Sequence, residues 1–287
     1  MQVQRLAAFT PDGGDATGGN PAGVALLDAL PDEATMVRVA AEVGYSETAF
    51  VTPTGERTFR VRYATPTSMV DFCGHATVAL GAALARTLGP GRLELATDAG
   101  QVVVDAELDP AGGGRATLTS VPPRHREPTE DELGTALLLL GWRAAELDPA
   151  LPPVVAYAGA WHLVLAARTR ERLARLEFDE DALAALMRAA GWTTLQLVWR
   201  EDATTFHARD PAPGVGIPED PATGAAAAAL GGWLRDAGHL RPPADLVVHQ
   251  GVDLGRPSRL DVHVPAVGGI RVAGRVLPLA EPLEVDA

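Results

Sequence analysis

The 287 residues carry 37 acidic and 24 basic side chains, a formal net charge of −13, with 47% hydrophobic and 21% charged residues. A chain this long buries a sizeable core in one large or two ordinary domains. Its acidity argues against nucleic acid or an anionic membrane as main partner, yet leaves a small anionic substrate open. The single cysteine, Cys73, excludes an internal disulfide and any cysteine-rich zinc site. The seven histidines form no HExxH pair, and neither a leader peptide nor an uncharged apolar run of about 18 residues is evident. The expectation is a cytoplasmic protein without a structural metal.

In chain order, the stretch TGGNPAGVALL (Thr17 to Leu27) reads as a loop entering a strand. Its glycines lack phosphate-loop spacing, and Asn20 either bonds substrate or holds a turn. A helix is predicted over 32–43, capped by Asp32 and stopped at Gly44. Strands ETAFVTP and TFRVRYA follow. At their start Glu47 lies between Tyr45 and Phe50. It is either ordinary loop chemistry or a carboxylate beside aromatic surface, suited to taking and returning a proton. Gly74-His75-Ala76-Thr77 opens an apolar helix, where the dipole favours a neutral imidazole able to donate to a substrate oxygen. Cys73, just before it, is more often a small buried hydrophobe than a nucleophile. After the helix come a strand, a glycine turn and a strand, LELATDAGQVVVDAEL.

The segment SVPPRHREPTE, Ser120 to Glu130, reads as a linker. Beyond it the order recurs: a helix over 179–190 capped by Asp179 and stopped at Gly191, strands LQLVWR and TFHARD, then EDPATGAAAAALGGWL. Here Asp220-Pro221 suits a helix cap with proline at the first position. With the amides of Thr223 and Gly224 it also suits a substrate anion. In the final hairpin-like turn, QGVDLGRPS, Arg256 either meets an acidic substrate or lies on the surface.

Sliding the chain by 147 residues sets Asp32-Glu33 on Asp179-Glu180, Gly44 on Gly191, Thr58-Phe59 on Thr205-Phe206 and Cys73 on Asp220. One residue of slippage then puts Ala76-Thr77 on Ala222-Thr223. Glu47 falls on Thr194, so only the first half has a candidate base. A helix apolar on nearly every side belongs inside a structure. The expected class is therefore α+β: two similar domains, 1–124 and 125–287, each a barrel-like sheet around a central helix. The last strand may cross back to the first domain, and the two polar helix openings would face a shared cleft.

Five pieces in order, GGNPAGVALL, SETAFV, CGHATVALGAAL, EDPATGAA and QGVDLGRPS, resemble the phenazine-biosynthesis PhzF-like family of the diaminopimelate-epimerase-like fold. The resemblance implies two similar domains with the active site between them, homodimerisation, and isomerase chemistry without cofactor or metal. It implies that Glu47 moves a proton on one face of a small unsaturated or cyclic amino or hydroxy acid. Ser46, Gly74, His75, Asp220, Thr223 and Gly224 fall on the family's site positions. One departure is Ala225, where the family usually has serine. Two other readings stand beside this one. The first is an amino-acid or hydroxyproline-type epimerase or dehydratase using Cys73 as a base. The second is a non-catalytic metabolite-binding protein.

Overall fold

The computed structural model describes residues 1–15, 17–109 and 113–286. They divide into two compact units, Met1–Thr119 with the chain from Ala273 onward, and Ser120–Val272.

The first unit contains β1 (Gln2–Thr10), β2 (Asn20–Leu26), α1 (Glu33–Val43), β3 (Glu47–Pro53), β4 (Thr58–Ala64), β5 (Met69–Val70), α2 (Gly74–Leu88), β6 (Gly91–Thr97), β7 (Gly100–Leu108) and β8 (Gly114–Thr119). Asp32 caps α1 by accepting from the Thr35 amide, and Gly44 ends it in the left-handed conformation. That is the cap and stop read from the sequence. Strands β2 and β3 run parallel across α1, and β4 and β6 run parallel across α2. Antiparallel pairings join the other neighbours.

The second unit runs through β9 (Arg124–Arg126), α3 (Glu130–Leu139), β10 (Val154–Tyr157), β11 (Trp161–Ala166), α4 (Arg170–Ala174), α5 (Glu180–Ala190), β12 (Thr194–Arg200), β13 (Thr205–Pro211), β14 (Glu219–Asp220), α6 (Gly224–Asp236), β15 (Ala244–Gln250) and β16 (Ser258–Val264). Strand β17 (Arg271–Glu284) follows. From Ala273 it belongs to the first unit, where it pairs with β1 and with β8 and closes that sheet around α2.

The repeat is visible in the pairings. Parallel β11–β12 and β13–β15 match parallel β2–β3 and β4–β6. Short β14 lies on β13 as β5 lies on β4. Each parallel pair is sandwiched. In the first unit α1 packs Met36, Val39 and Val43 against Ala25 and Phe50. In the second, α5 packs Leu183 and Met187 against Leu163, Leu165, Leu195 and Leu197. The opposite faces of these strands meet α2 and α6, which explains their nearly unbroken apolar runs.

Both central helices are thin for a physical reason. From His75 to Ala85 every residue of α2 is buried, as is every residue of α6 from Ala226 to Leu234. Side chains of ordinary size would hold the strands away. A Cβ on Gly81 would lie 2.7 Å from Val104 Cγ1 and 2.9 Å from Ala116 Cβ.

The repeat register read from the sequence needs correction at the helix starts. Helix α2 is capped by Cys73 and α6 by Thr223, with Gly74 and Gly224 first in each. Cys73 therefore corresponds to Thr223. Asp220 lies in β14 opposite Asp210, the place of Val70 opposite Tyr63 in the first unit. It is three residues before the helix cap and is not the cap itself.

Gly81→Leu is expected to lower stability by about 1–3 kcal/mol through overpacking. Gly134 lies in exposed α3, and a Cβ there meets nothing within 4 Å. Gly134→Ala should therefore stabilise by about 0.5–1 kcal/mol. Urea unfolding of the two variants beside the parent checks both signs.

Candidate active site

In the first unit β3 begins at Glu47, directly after the turn that ends α1. Alternation along the strand sends Phe50 to the α1 side, leaving Glu47 on the face towards α2. There Glu47 Oε2 lies 3.4 Å from His75 Nε2. The contact is not at hydrogen-bond geometry, so Oε2 is buried without a hydrogen-bond partner. Ser46 Oγ is 3.5 Å from the same Nε2, and Cys73 Sγ is 3.4 Å from Nδ1. One neutral tautomer satisfies this arrangement: Nε2–H points towards Ser46 and Glu47, while Nδ1 accepts from the thiol. Ser46, Glu47, Cys73, Gly74 and His75 are thus brought together. The oxygen, sulfur and nitrogen of Glu47, Cys73 and His75 lie within 4.8 Å of one another, a donor set suited to a zinc-like ion.

Asn20 is the first residue of β2, buried and opposite Ala8, so it is a strand residue and not a turn. Its neighbourhood is strained: Phe9 holds φ of 64°, a conformation rare for a bulky side chain. Phe9 also lies so close to Gly274 that a Cβ there would meet its ring at 2.2 Å. Two open hollows on this unit, of about 510 and 260 Å³, are lined from α1 and the β4–β5 turn, and from β3 and the end of α2. Neither includes Glu47 or His75.

The second unit has a different polar cluster at the equivalent place. Where Glu47 faces Ala22 across the strands, Thr194 faces His162. His162 Nδ1 is 2.8 Å from Thr194 Oγ1, and that hydroxyl donates to Asp210 Oδ2 at 3.2 Å. Asp220 Oδ2 accepts from the Thr223 hydroxyl at 2.6 Å. Gln250 completes the set: its Oε1 accepts from the Thr223 amide, and its Nε2 donates to the Asp220 carbonyl and to Thr223 Oγ1. The Thr223 amide, expected to receive a substrate anion, is therefore already engaged.

His162, Asp210 and Gln196 are fully buried, and His162 Nε2, Asp210 Oδ1 and both amide atoms of Gln196 have no hydrogen-bond partner. Burial drives the His162 pKa down to about 3. Burial also pushes the Asp210 carboxyl well above the usual carboxylate range. The charge of Asp220 adds to this, the hydroxyls of Thr223 and Thr194 oppose it, and Glu219 adds a little more. None of these three buried residues was singled out from the sequence. The available signal was Asp210 falling on Tyr63 in the 147-residue register, a carboxyl where the first half has a phenol.

A family model described as phenazine biosynthesis-like protein, PhzC-PhzF, matches residues 6–280. A protein of Deinococcus radiodurans named only as an uncharacterized isomerase is 39% identical over 93% of this chain and 87% of its own. The structure of a predicted epimerase of Pseudomonas aeruginosa, PA4716, matches with a TM-score of 0.84 at 26% identity, covering 99% of this chain and 98% of that one. A PhzF-family protein of Bacillus anthracis matches with a TM-score of 0.84 at 24% identity, covering 99% of both chains. The class is an isomerase on the diaminopimelate-epimerase-like fold. The chain belongs to the phenazine biosynthesis-like PhzF family. No described helix is long and apolar enough to cross a membrane.

Neutral His162 makes a pH prediction. Its folded pKa is about 3 against an unfolded value of 6.5. The stability it contributes is complete above pH 6.5 and is lost as pH falls through that value towards 3. The slope is about 1.4 kcal/mol per pH unit, and the whole window amounts to roughly 5 kcal/mol. Relative to His162→Gln, the parent should therefore lose stability as pH falls from 7 to 4, as read by the difference between their urea midpoints.

Proposed function

We propose that the protein moves a proton within a small unsaturated or cyclic amino or hydroxy acid, with Glu47 as the acid–base group and without cofactor or metal. The observation that carries this is the Glu47 carboxylate: Oε2 is buried, has no hydrogen-bond partner, and sits 3.4 Å from a histidine near the start of a helix. A structural carboxylate would be satisfied by neighbouring donors. A carboxylate whose Oε2 is left without a hydrogen bond is available to a proton on a ligand.

In this reading the ionised carboxylate removes a proton from an acidic C–H, and the electron pair moves into the adjacent unsaturation. The Glu47 carboxylic acid then returns the proton to another carbon of the same system. The substrate keeps its formula and nothing is oxidised. Neutral His75 donates from Nε2 to a substrate oxygen, where negative charge gathers as the C–H breaks. Ser46 sits beside the same ring nitrogen, and the amides at the start of α2, Gly74 first, suit a substrate carboxylate. In the second unit, taken by itself, we assign Asp220 and the Gly224 amide to substrate binding. Thr223 serves there by holding Asp220. Ala225 offers no hydroxyl, which favours a substrate other than one needing that extra hydrogen bond. Homodimerisation and a cytoplasmic location complete the proposal.

A second reading is favoured by one observation, the Cys73 thiol 3.4 Å from His75 Nδ1. A histidine beside a thiol can make it a base for epimerisation or dehydration.

Solvent-deuterium incorporation, read by NMR across a panel of unsaturated amino and hydroxy acids, tests all of this. Removing the base should cost at least about 10²-fold, so Glu47→Gln should lose exchange while still binding the ligand. Full exchange in that variant would remove Glu47 from its role. Near-total loss in Cys73→Ala, with Glu47→Gln active, would establish the thiol reading instead. Ligand binding without exchange for any panel member would mark a binding protein.

A further inference from the structure

We propose that Asp210 is held as a neutral carboxylic acid and acts as a positioning residue, leaving the negative charge at the start of α6 on its cross-strand neighbour Asp220. The argument is one of donors and acceptors. Asp210 is fully buried on β13, and Oδ2 accepts its hydrogen bond from a neutral hydroxyl, that of Thr194. The adjacent cation, Arg209, points to the other face. There it grips Glu219 with two hydrogen bonds of 3.0 and 2.6 Å and also donates to the Ala174 carbonyl. An ionised carboxylate buried without a cation is among the costliest groups a fold can hold, and it takes up a proton instead.

The proton directions around it agree. Thr223 gives its hydroxyl proton to Asp220 Oδ2 and accepts from Gln250 Nε2. That proton is therefore not available to Asp210, whose Oδ1 has no hydrogen-bond partner. A proton on Asp210 removes the charge that this unbonded, buried oxygen would otherwise share. On the other side His162 Nδ1–H donates to Thr194, whose hydroxyl donates to Asp210. The donors thus fall into two sets, His162 through Thr194 to Asp210 and Gln250 through Thr223 to Asp220, with the single negative charge on Asp220. Were both aspartates ionised, two like charges would face each other across β13 and β14.

The groups around Asp210 are few. His162 on β11 is neutral; Thr194 and Gln196 on β12 do not titrate; Asp220 and Glu219 stand on β14; and Gln250 on β15 carries no charge. In the first unit the same slot holds Tyr63, a phenol that bonds Thr77 at 2.6 Å. A neutral O–H is thus what this position takes in both copies. The use of the Asp220 charge by substrate rests on the function proposed above, but the proton on Asp210 does not, and it is tested alone.

Infrared difference spectra of the intact protein should show a carboxylic-acid carbonyl band at neutral pH that shifts in deuterium oxide. The band should be missing from Asp210→Asn, which mimics a neutral acid and should fold like the parent by circular dichroism. In Asp220→Asn the band should vanish at a lower pH than in the parent, since a like charge has been removed. The folding constant supplies a second reading. A raised folded pKa means that stability falls as pH rises from the unfolded carboxylate value, about 3.9, towards the folded one. Relative to Asp210→Asn, the parent's folding constant should therefore drop about tenfold per pH unit in that window. No acid band in the parent at neutral pH, a band that survives in Asp210→Asn, or parallel pH curves for the two proteins would overturn the proposal.

Discussion

A helix buried on every side has to be slender, and that requirement shapes both units. Alanine and glycine fill α2 and α6 so that strands can close on them from several directions. Most of what gives these helices stability is the apolar area the strands remove from water, since small side chains contribute little packing of their own. The same closeness has a polar consequence. Unpaired amides at the start of a helix cannot be left in an apolar wall. Residues near that end of the surrounding strands must therefore be polar, and each unit gathers its hydrophilic side chains there.

The two copies solve this differently. In the first, the strand beside the helix start presents Glu47, the facing strand has only Ala22, and His75 lies within the first turn of the helix itself. The carboxylate is consequently near a histidine but unsatisfied. In the second, His162, Thr194 and Asp210 form one hydrogen-bonded set and Asp220, Thr223 and Gln250 another, while His162 Nε2 and Asp210 Oδ1 stay unbonded. One copy sets a carboxylate beside a histidine, while the other holds Asp220 through Thr223 and Gln250. Divergence of this kind is what gene duplication followed by specialisation of one half would leave in a fold.

The sequence showed the outer parts of this design clearly. Caps at Asp32 and Asp179, left-handed glycines at Gly44 and Gly191, and the order of helices and strands all rest on local chemistry, and all appear in the structure. The match of Cys73 with Asp220 did not survive. The connection from β13 to β14 is three residues longer than that from β4 to β5, and an ungapped register carries that error into the helix start. The buried cluster was illegible for a different reason. His162 and Gln196 alternate with leucines in strands that are covered on both faces, so no polar–apolar rhythm separates an inward polar residue from an outward one. Only the pairing of β11, β12 and β13 shows that these side chains share one face.

That shared face also sets the electrostatic character of the second helix start. The dipole and amides of α6 favour negative charge. Gln250 has taken the Thr223 amide, so part of that favourable field is already answered by a neutral oxygen. Asp220 accepts from Thr223 close by, and Asp210 faces it from the next strand. Two ionised carboxylates there would oppose any anionic ligand, whereas one carboxylate and one acid leave a donor as well as an acceptor in the cluster. These groups set the field at the helix start more sharply than the chain's overall charge of −13 does, because a net charge acts at long range and through salt, while they act within a hydrogen bond's length.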